Sequence, residues 1–188
     1  MVKEQSLVVV KHDGVIRGLI GEILQRFERV GLKVVAMKMI WADENIAEKH
    51  YHVSEEWARA VFDKTKTAYE KERKKFPFTD HKKYGQMIKD WNKNFLREGP
   101  VVAAVVEGPH AIELVRKMVG HTEPRQAQPG TIRGDYSYDS YALGDLKQRP
   151  TRNLIHASGT KDEAAREIAL WFTQKEVYNY PTQHDKHS

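Results

Sequence analysis

The chain has 188 residues, no cysteine and a formal net charge of +5 at pH 7, from 31 Lys and Arg against 26 Asp and Glu. The absence of cysteine excludes a disulfide framework, a thiolate nucleophile and a cysteine zinc site. The apolar runs are shorter than the roughly 20 residues of a membrane-spanning helix, and the first residues lack the apolar core of a signal peptide. We therefore expect one cytoplasmic domain, whose positive charge suits polyanions such as nucleotides or serves only solubility.

The first part of the chain predicts two strands and two helices. Ser6 to Lys11 is rich in β-branched residues and predicts a buried strand. Apolar residues from Val15 to Val30 recur at helical spacing, and Gly31 ends that helix. Leu32 to Trp41 alternates loosely and predicts a second strand, and the next helix runs from near Asp43 through Tyr51.

The middle of the chain predicts a helical hairpin followed by a strand and a helix. Residues 54–97 are dense in Lys, Glu and aromatic side chains, and they predict two helices around a break at Phe76-Pro77-Phe78. Val101 to Glu107 is the strongest strand signal in the sequence. Gly108-Pro109 then opens a helix that ends at Gly120.

The last part predicts one more strand and a terminal helix. An irregular loop leads to Arg133, and residues 137–151 contain tyrosines, Gly144 and Pro150, which indicates an exposed insertion. Asn153 to His156 predicts the fourth strand. Thr160 has capping-box spacing to Glu163 and starts an amphipathic helix.

This order of elements predicts an α+β sandwich of the ferredoxin-like βαββαβ type. It would have a four-stranded antiparallel sheet, an enlarged helical hairpin and a C-terminal helix. Residues 1–178 would form the single domain, with expansions at about 54–97 and 137–151. Residues 179–188 would form a polar, frayed tail.

His156 is the first candidate for chemistry, because it ends an apolar run directly before a helix. A histidine attacks phosphorus only as a neutral imidazole with one free lone pair, while a fixed acceptor holds its other nitrogen. Glu167, about two turns into the following helix, is a plausible acceptor. A single histidine is more often an ordinary surface or core residue, so the assignment depends on the rest of the chain.

The motif Asn153-x-x-His156-Ala157-Ser158 resembles the active-site signature of nucleoside diphosphate kinases, in which the histidine carries a phosphoryl group between nucleotides. Further segments resemble that family in the same order, and together they cover roughly two-thirds of the chain. They are Val9–Val15, Arg17–Ile23, Arg26–Glu28, Ala47–Tyr51, Gly99–Ala103, Glu107-Gly108, Gly120–Pro124, Pro129–Asp135 and Glu167–Phe172.

The resemblance implies a transferase that moves the γ-phosphate of a nucleoside triphosphate to a nucleoside diphosphate through phospho-His156. Guanidinium groups suit phosphate oxygens, and a lysine at a strand end provides a compact charge. The implied catalytic residues are His156, Lys11, Tyr51, Glu167 and Ser158. The implied nucleotide-binding residues are Lys11, Arg116, Thr122 and Arg133 for the phosphates and Asn153 for the sugar hydroxyl. Tyr51 would order the pocket by hydrogen bonding beside Lys11 and His156, and Ser158 would help to hold Glu167.

The resemblance also implies the cofactor and the partners. Mg²⁺ would be held mainly through the nucleotide phosphates, with no protein metal ligand, which suits an ion that keeps its waters. The sequence contains no Walker-type phosphate loop. The expected partners are nucleoside tri- and diphosphates and further copies of the chain, in a hexamer or tetramer built from dimers. A membrane and nucleic acid are not expected partners.

The chain departs from the family pattern in three places. Gly159 replaces an aspartate after the His-Ala-Ser triplet, and His12 replaces a proline beside Lys11. We expect the first change to affect local order and the second to loosen the backbone. The hairpin is longer than the family's by roughly 30 residues, far beyond a usual helix connection, and the phenylalanine that stacks on the base cannot be aligned. The possible substitutes are Phe62, Tyr69 and Trp91, each of which also suits a packing role.

Two alternatives to the kinase remain. The basic, aromatic segment 57–97 would suit a binding module for nucleotides or nucleic acid that has weakened or lost catalysis. The expansions would also suit a regulatory subunit that acts in assembly. The presence of all nine implied site residues together favours the kinase.

Overall fold

The computed structural model describes residues 3–51, 53–71 and 73–183. The strands are β1 (Lys3–Val10), β2 (Lys33–Ile40), β3 (Val101–Pro109) and β4 (Ile155–Ala157). The helices are α1 (His12–Val15), α2 (Ile20–Arg29), α3 (Glu44–His50), α4 (Glu55–Lys71), α5 (His81–Leu96), α6 (Ala111–Val119), α7 (Ile132–Tyr136), α8 (Tyr141–Leu146) and α9 (Lys161–Trp171). Among these helices, none has the length and apolar character needed to cross a membrane.

The four strands form one antiparallel sheet in the order β2-β3-β1-β4. β1 lies inside the sheet, paired with β3 along its length and with β4 at its end, where Val9 faces His156. This confirms the predicted α+β fold and its four-stranded antiparallel sheet. It also brings the end of the first strand to the strand that carries His156.

Helices cover both faces of the sheet, so β1 and β3 are buried on both sides. Alternate residues of β1 enter two hydrophobic cores, with Val8 and Val10 on the side of α2 and α6. Leu7 and Val9 face the other side, where α3 and α9 pack. The continuous apolar runs of these strands follow from this burial, since a strand exposed on one face would alternate with polar residues.

The first helix is shorter than the predicted span from Val15 to Val30. Gly18 has a φ of +69°, a left-handed conformation that glycine adopts without strain, and it separates α1 from α2. The regular helix then starts at Ile20. Its side chains Ile23 and Phe27 are fully buried, so the predicted apolar face is correct where the helix exists.

The expansion 54–97 forms the predicted helical hairpin, α4 and α5. The two helices cross closely at Gly85, where an added Cβ would lie 2.6 Å from the Cβ of Ala58. The connection folds back as an aromatic cluster, with Phe76 in edge contact with Phe62, Tyr69 and Tyr84 at ring distances of 5.1–5.3 Å. The hairpin therefore has an apolar core of its own.

The loop predicted before Arg133 is irregular apart from one 3-10 turn at Pro124–Gln126, but the exposed insertion predicted after it differs from expectation. Arg133 lies in α7, whose N-cap Thr131 accepts a hydrogen bond from the Gly134 amide at 3.1 Å. Residues 137–151 contain α8, which packs against α4. Their buried anchor is Asp139, which binds the Arg149 guanidinium at 2.6 Å. The prediction of an exposed insertion was therefore wrong.

The described part of the predicted tail continues along the sheet edge. The amide of Tyr178 donates to the Val35 carbonyl at 2.8 Å, and the Tyr180 hydroxyl donates to Val34 at 2.6 Å. Residues 184–188 of the predicted tail lie outside the described residues.

Candidate active site

The carboxylate of Glu167 holds His156, and the hydroxyl of Ser158 in turn holds that carboxylate. Its Nε2 lies 3.0 Å from both carboxylate oxygens of Glu167. The Ser158 hydroxyl donates to the same carboxylate at 2.6 Å, and the Leu7 amide donates to Ser158. Burial alone would raise the pKa of Glu167, but the hydrogen bonds from His156 and Ser158 lower it below its usual value. The carboxylate is therefore ionised at neutral pH and fixes the hydrogen of His156 on Nε2.

This arrangement leaves the other imidazole nitrogen, Nδ1, with a lone pair. The side chain of His156 is 23% exposed, whereas that of Glu167 is 3% exposed. A nucleophile that is accessible, neutral and oriented by a buried acceptor is what attack on phosphorus requires. The geometry that the sequence predicted for His156, Glu167 and Ser158 is present.

Lys11 lies beside this group because β1 ends next to β4. The Lys11 amide donates to the Leu154 carbonyl at 2.7 Å, and its ammonium group donates to the Asn153 side-chain oxygen at 2.8 Å. Burial, with Arg133 nearby, lowers the pKa of Lys11 to about 8. The Asn153 amide nitrogen donates to the Thr122 carbonyl at 2.9 Å, so one of its two hydrogens is left for another acceptor.

Arg133 mainly fixes the backbone around β4. Its Nε donates to the Asn153 carbonyl, and its two terminal nitrogens donate to the carbonyls of Gly120 and Ile155. These bonds use three of the five guanidinium hydrogens, which leaves two for phosphate oxygens. The sequence did not predict this structural role. Burial and the nearby Arg116 lower the pKa of Arg133 to about 10, and Arg116 itself is exposed.

His50 is a member of the site that the sequence did not single out. It is buried, and its ring meets that of His156 edge to face at a centroid distance of 4.3 Å. Burial and the proximity of His156 lower its pKa well below the usual value. The Trp171 indole donates to its Nδ1 at 3.2 Å, which places the hydrogen on Nε2. As one histidine at the end of a predicted helix, it gave no signal of this role.

Tyr51 also lies in this site, next to His50, but within the part of the chain that the structure describes its hydroxyl does not make the predicted hydrogen bond. Its ring contacts His50 at 4.8 Å. Burial and the charges of Glu167 and Asp13 raise the pKa of its hydroxyl. Among the described residues, neither this hydroxyl nor Nε2 of His50 has a hydrogen-bond partner. Buried donors usually have partners, so these two mark the place where a polar ligand is expected.

These histidines do not suit a bound metal ion. The facing atoms of His50, His156 and Glu167 lie within 4.8 Å of one another, and they form the one such group among the described residues. However, the hydrogen that Trp171 places on Nε2 of His50 removes the lone pair a metal would need, and Glu167 is already bonded to His156 and Ser158. Magnesium prefers oxygen ligands, so this group does not offer it a site.

A cavity of about 300 Å³ lies between the segment that precedes β4 and both expansions. Asn153, just before β4, and Thr122, in the loop after α6, line one side of it, and Trp57 and Trp91 line it from the hairpin. Of the three aromatic residues considered for base stacking, Trp91 alone borders this cavity, because Phe62 and Tyr69 pack against Phe76. Arg116 lies outside its lining.

The two single-residue departures from the family pattern, Gly159 and His12, leave the site intact. The Gly159 amide donates to the Glu163 carboxylate at 2.8 Å, and Thr160 caps α9 by accepting from the Glu163 amide at 3.1 Å. The cap at Thr160, predicted from its spacing to Glu163, is confirmed. His12 packs its ring against Gly99, where an added Cβ would lie only 2.1 Å away.

Comparisons with known proteins agree on one family. The family model described as nucleoside diphosphate kinase matches residues 4–72 and 63–177. The two matched segments overlap within α4, in the longer hairpin. A nucleoside diphosphate kinase of Pyrobaculum aerophilum is 45% identical over 178 residues, which cover 93% of this chain and 97% of that relative.

Solved structures give the same result. The crystal structure of an NDP kinase from Pyrobaculum aerophilum superposes with a TM-score of 0.89 at 41% identity, covering 95% of this chain and all of that one. A nucleoside-diphosphate kinase from Borrelia burgdorferi, a transition state mimic with bound vanadate and ADP, gives a TM-score of 0.80 at 39% identity. That match covers 100% of this chain and 97% of the other.

Proposed function

The chain belongs to the nucleoside diphosphate kinase family, and we propose that it carries the transferred phosphate on His156. It is a nucleoside diphosphate kinase, a phosphotransferase that acts on nucleotides. The observation that carries the assignment of the nucleophile is the hydrogen bond from His156 Nε2 to Glu167, which leaves Nδ1 free beside the buried charge of Lys11.

The reaction proceeds in two half-reactions. The Nδ1 lone pair of His156 attacks the γ-phosphorus of a nucleoside triphosphate, the bond to the bridging oxygen breaks, and the nucleoside diphosphate leaves. The imidazole keeps its hydrogen on Nε2, bonded to Glu167, so no proton has to be transferred. A terminal oxygen of a second nucleoside diphosphate then attacks the same phosphorus, and the Nδ1–P bond breaks.

The surrounding residues supply charge and position. Lys11 contacts the transferred phosphate, and Arg116, the two remaining donors of Arg133 and the Thr122 hydroxyl bind phosphate oxygens. Phosphoryl transfer depends mainly on such placed positive charge. The free amide hydrogen of Asn153 binds a sugar hydroxyl, and the Tyr51 hydroxyl donates within the site. The nucleotide would carry Mg²⁺ on its phosphates, where the ion would offset part of their negative charge, and no side chain is assigned to it.

The base lies toward the hairpin in this proposal. Trp91 shares the cavity with Asn153, so a nucleotide whose sugar binds Asn153 places its base on the hairpin side. Aromatic faces stack on any base, which supports a broad nucleotide preference.

The nucleic-acid alternative has less support. Lys89 and Lys93 of the hairpin both pair with Glu48, and Lys82 pairs with Glu55 at 3.2 Å. These carboxylates neutralise part of the basic face that a phosphate backbone would require.

Self-association fits the second half of β2, an edge strand whose first half bonds to Tyr178 and Tyr180. Met37, Met39 and Trp41 are 58%, 56% and 66% exposed along or just beyond this half. We propose that a second copy covers this surface, because exposed apolar side chains along an edge strand favour association. Sedimentation of Met39→Lys protein should show smaller assemblies than the wild type. Cytoplasmic location and the final subunit number remain predictions.

The experiment that tests the nucleophile uses γ-labelled ATP and magnesium without an acceptor. We expect an acid-labile, alkali-stable protein phosphate that GDP discharges as GTP. The His156→Ala protein should retain no label, whereas His110→Asn, which alters an exposed histidine in a turn where asparagine fits the positive φ, should label normally. Equal labelling of the two variants would show that the phosphate is carried elsewhere.

A further inference from the structure

One lysine of the expanded hairpin reaches the nucleotide cavity. Lys64 lies on α4, and it lines the cavity together with Thr122 and Asn153. Its ammonium nitrogen lies 5.9 Å from the ring centroid of Tyr141, a residue of the second expansion. The residue remains accessible at the cavity mouth. Lys64 is therefore a cation that the hairpin places in the same cavity as Thr122 and Asn153.

Among the described residues Lys64 has no ion pair, whereas Lys66 on the same helix lies 3.9 Å from Glu70. Partial burial, followed by the nearby charges of Arg133 and Arg116, lowers the pKa of Lys64, and the carboxylate of Glu123 acts in the opposite direction. Lys64, Arg133 and Arg116 are thus close enough to repel one another, although Lys64 alone of the three lines the cavity. Their mutual repulsion is relieved when an anion binds among them.

We propose that Lys64 binds a non-transferred phosphate of the nucleotide, an inference that rests on the proposed function. The phosphorus that reacts must lie at Nδ1 of His156, next to Lys11. The remaining phosphates extend along the cavity past Thr122. Lys64 lines the same cavity, so its side chain can reach them. A lysine suits this position because its compact ammonium group contacts oxygens of either of two adjacent phosphates.

A contact with a non-transferred phosphate changes binding rather than chemistry. It is present in the bound triphosphate, in the transition state and in the bound diphosphate alike. Such uniform binding lowers KM and leaves kcat unchanged. Lys11 and His156 differ in this respect, because they touch the phosphate that moves.

The test compares Lys64→Met with Lys66→Met and Lys64→Arg. We measure KM and kcat for ADP with phosphorylated enzyme, together with labelling of His156 by acetyl phosphate, a donor without a nucleotide. Loss of one charge-assisted hydrogen bond at an accessible site should raise the KM for ADP about tenfold in Lys64→Met. The kcat and the labelling by acetyl phosphate should stay within about twofold. Lys66→Met should match the wild type, and Lys64→Arg should recover most of the affinity.

Two results would overturn the inference. One is a KM for ADP in Lys64→Met equal to that in Lys66→Met. The other is an equal loss of kcat and of acetyl phosphate labelling, which would place Lys64 at the transferred phosphate. Equilibrium binding of ADP, measured by calorimetry, separates this inference from the proposed function. If the folded wild type forms no phosphoenzyme, the proposed function fails, and a weaker affinity of Lys64→Met for ADP still decides the role of Lys64.

Discussion

Replacing Glu167 by glutamine tests how the active-site histidine is activated. The substitution keeps an oxygen 3.0 Å from Nε2 of His156 and removes only the negative charge. A hydrogen bond to a charged group contributes about 1.5–3 kcal/mol, against about 0.5–1.5 kcal/mol for a neutral pair. The side chain is 3% exposed, so solvent screens this difference little. The expected loss is about 1.4 kcal/mol of transition-state stabilisation, or about tenfold in kcat/KM.

The assay is the rate of His156 labelling from ATP in a single turnover, which isolates the step in which the imidazole gains positive character. Glu163→Gln is the matched control, since Glu163 lies on the same helix and is exposed. We expect Glu167→Gln to label about ten times more slowly and the control to label at the wild-type rate. A wild-type rate in Glu167→Gln would refute the reasoning, because the charge of Glu167 would then have no part in the reaction.

Three further predictions follow from neighbouring contacts. Ser158→Ala removes a buried hydroxyl bonded to Glu167, and chemical denaturation should show a loss of about 1–2 kcal/mol in unfolding free energy. The kcat/KM of the free enzyme should fall as pH rises above about 8, because Lys11 loses its proton there, and Lys11→Arg should shift this fall to higher pH. Trp171→Phe removes the donor that fixes the His50 tautomer; kcat should fall about fivefold with KM for ADP unchanged, and an unchanged kcat would exclude this positioning role.

The sheet could be predicted from the sequence because burial on both faces leaves a strong pattern. The second half of β1, Leu7–Val10, and most of β3 are short continuous apolar runs bounded by turn residues, which is typical of strands buried on both faces. The start of α2 could not be predicted in the same way. The apolar spacing continues back through Val15, whereas the break depends on the conformation of Gly18, which spacing does not reveal.

The candidate site likewise has a part that a local sequence pattern predicts and a part that depends on packing between distant segments. Asn153, His156, Ser158 and Glu167 lie within one short stretch, so a local motif predicted their meeting. His50 comes from α3 and is defined only by the packing of α3 against α9, which no local pattern records. Residues 137–151 looked exposed because their tyrosines, Gly and Pro resemble a loop, but Asp139 anchors them through Arg149.

The site combines a fixed part and an adjustable part. Lys11 and Arg133 are both buried. The side-chain oxygen of Asn153 holds Lys11, and main-chain carbonyls hold Arg133, before any substrate binds. Charges fixed in this way need no rearrangement during phosphoryl transfer, which is where electrostatic stabilisation is most effective. Lys64 and Arg116 are accessible and can follow the phosphates of different nucleotides. Under the proposed function, the chemistry therefore lies at the ends of β1 and β4, and much of the nucleotide recognition lies on the helices around them.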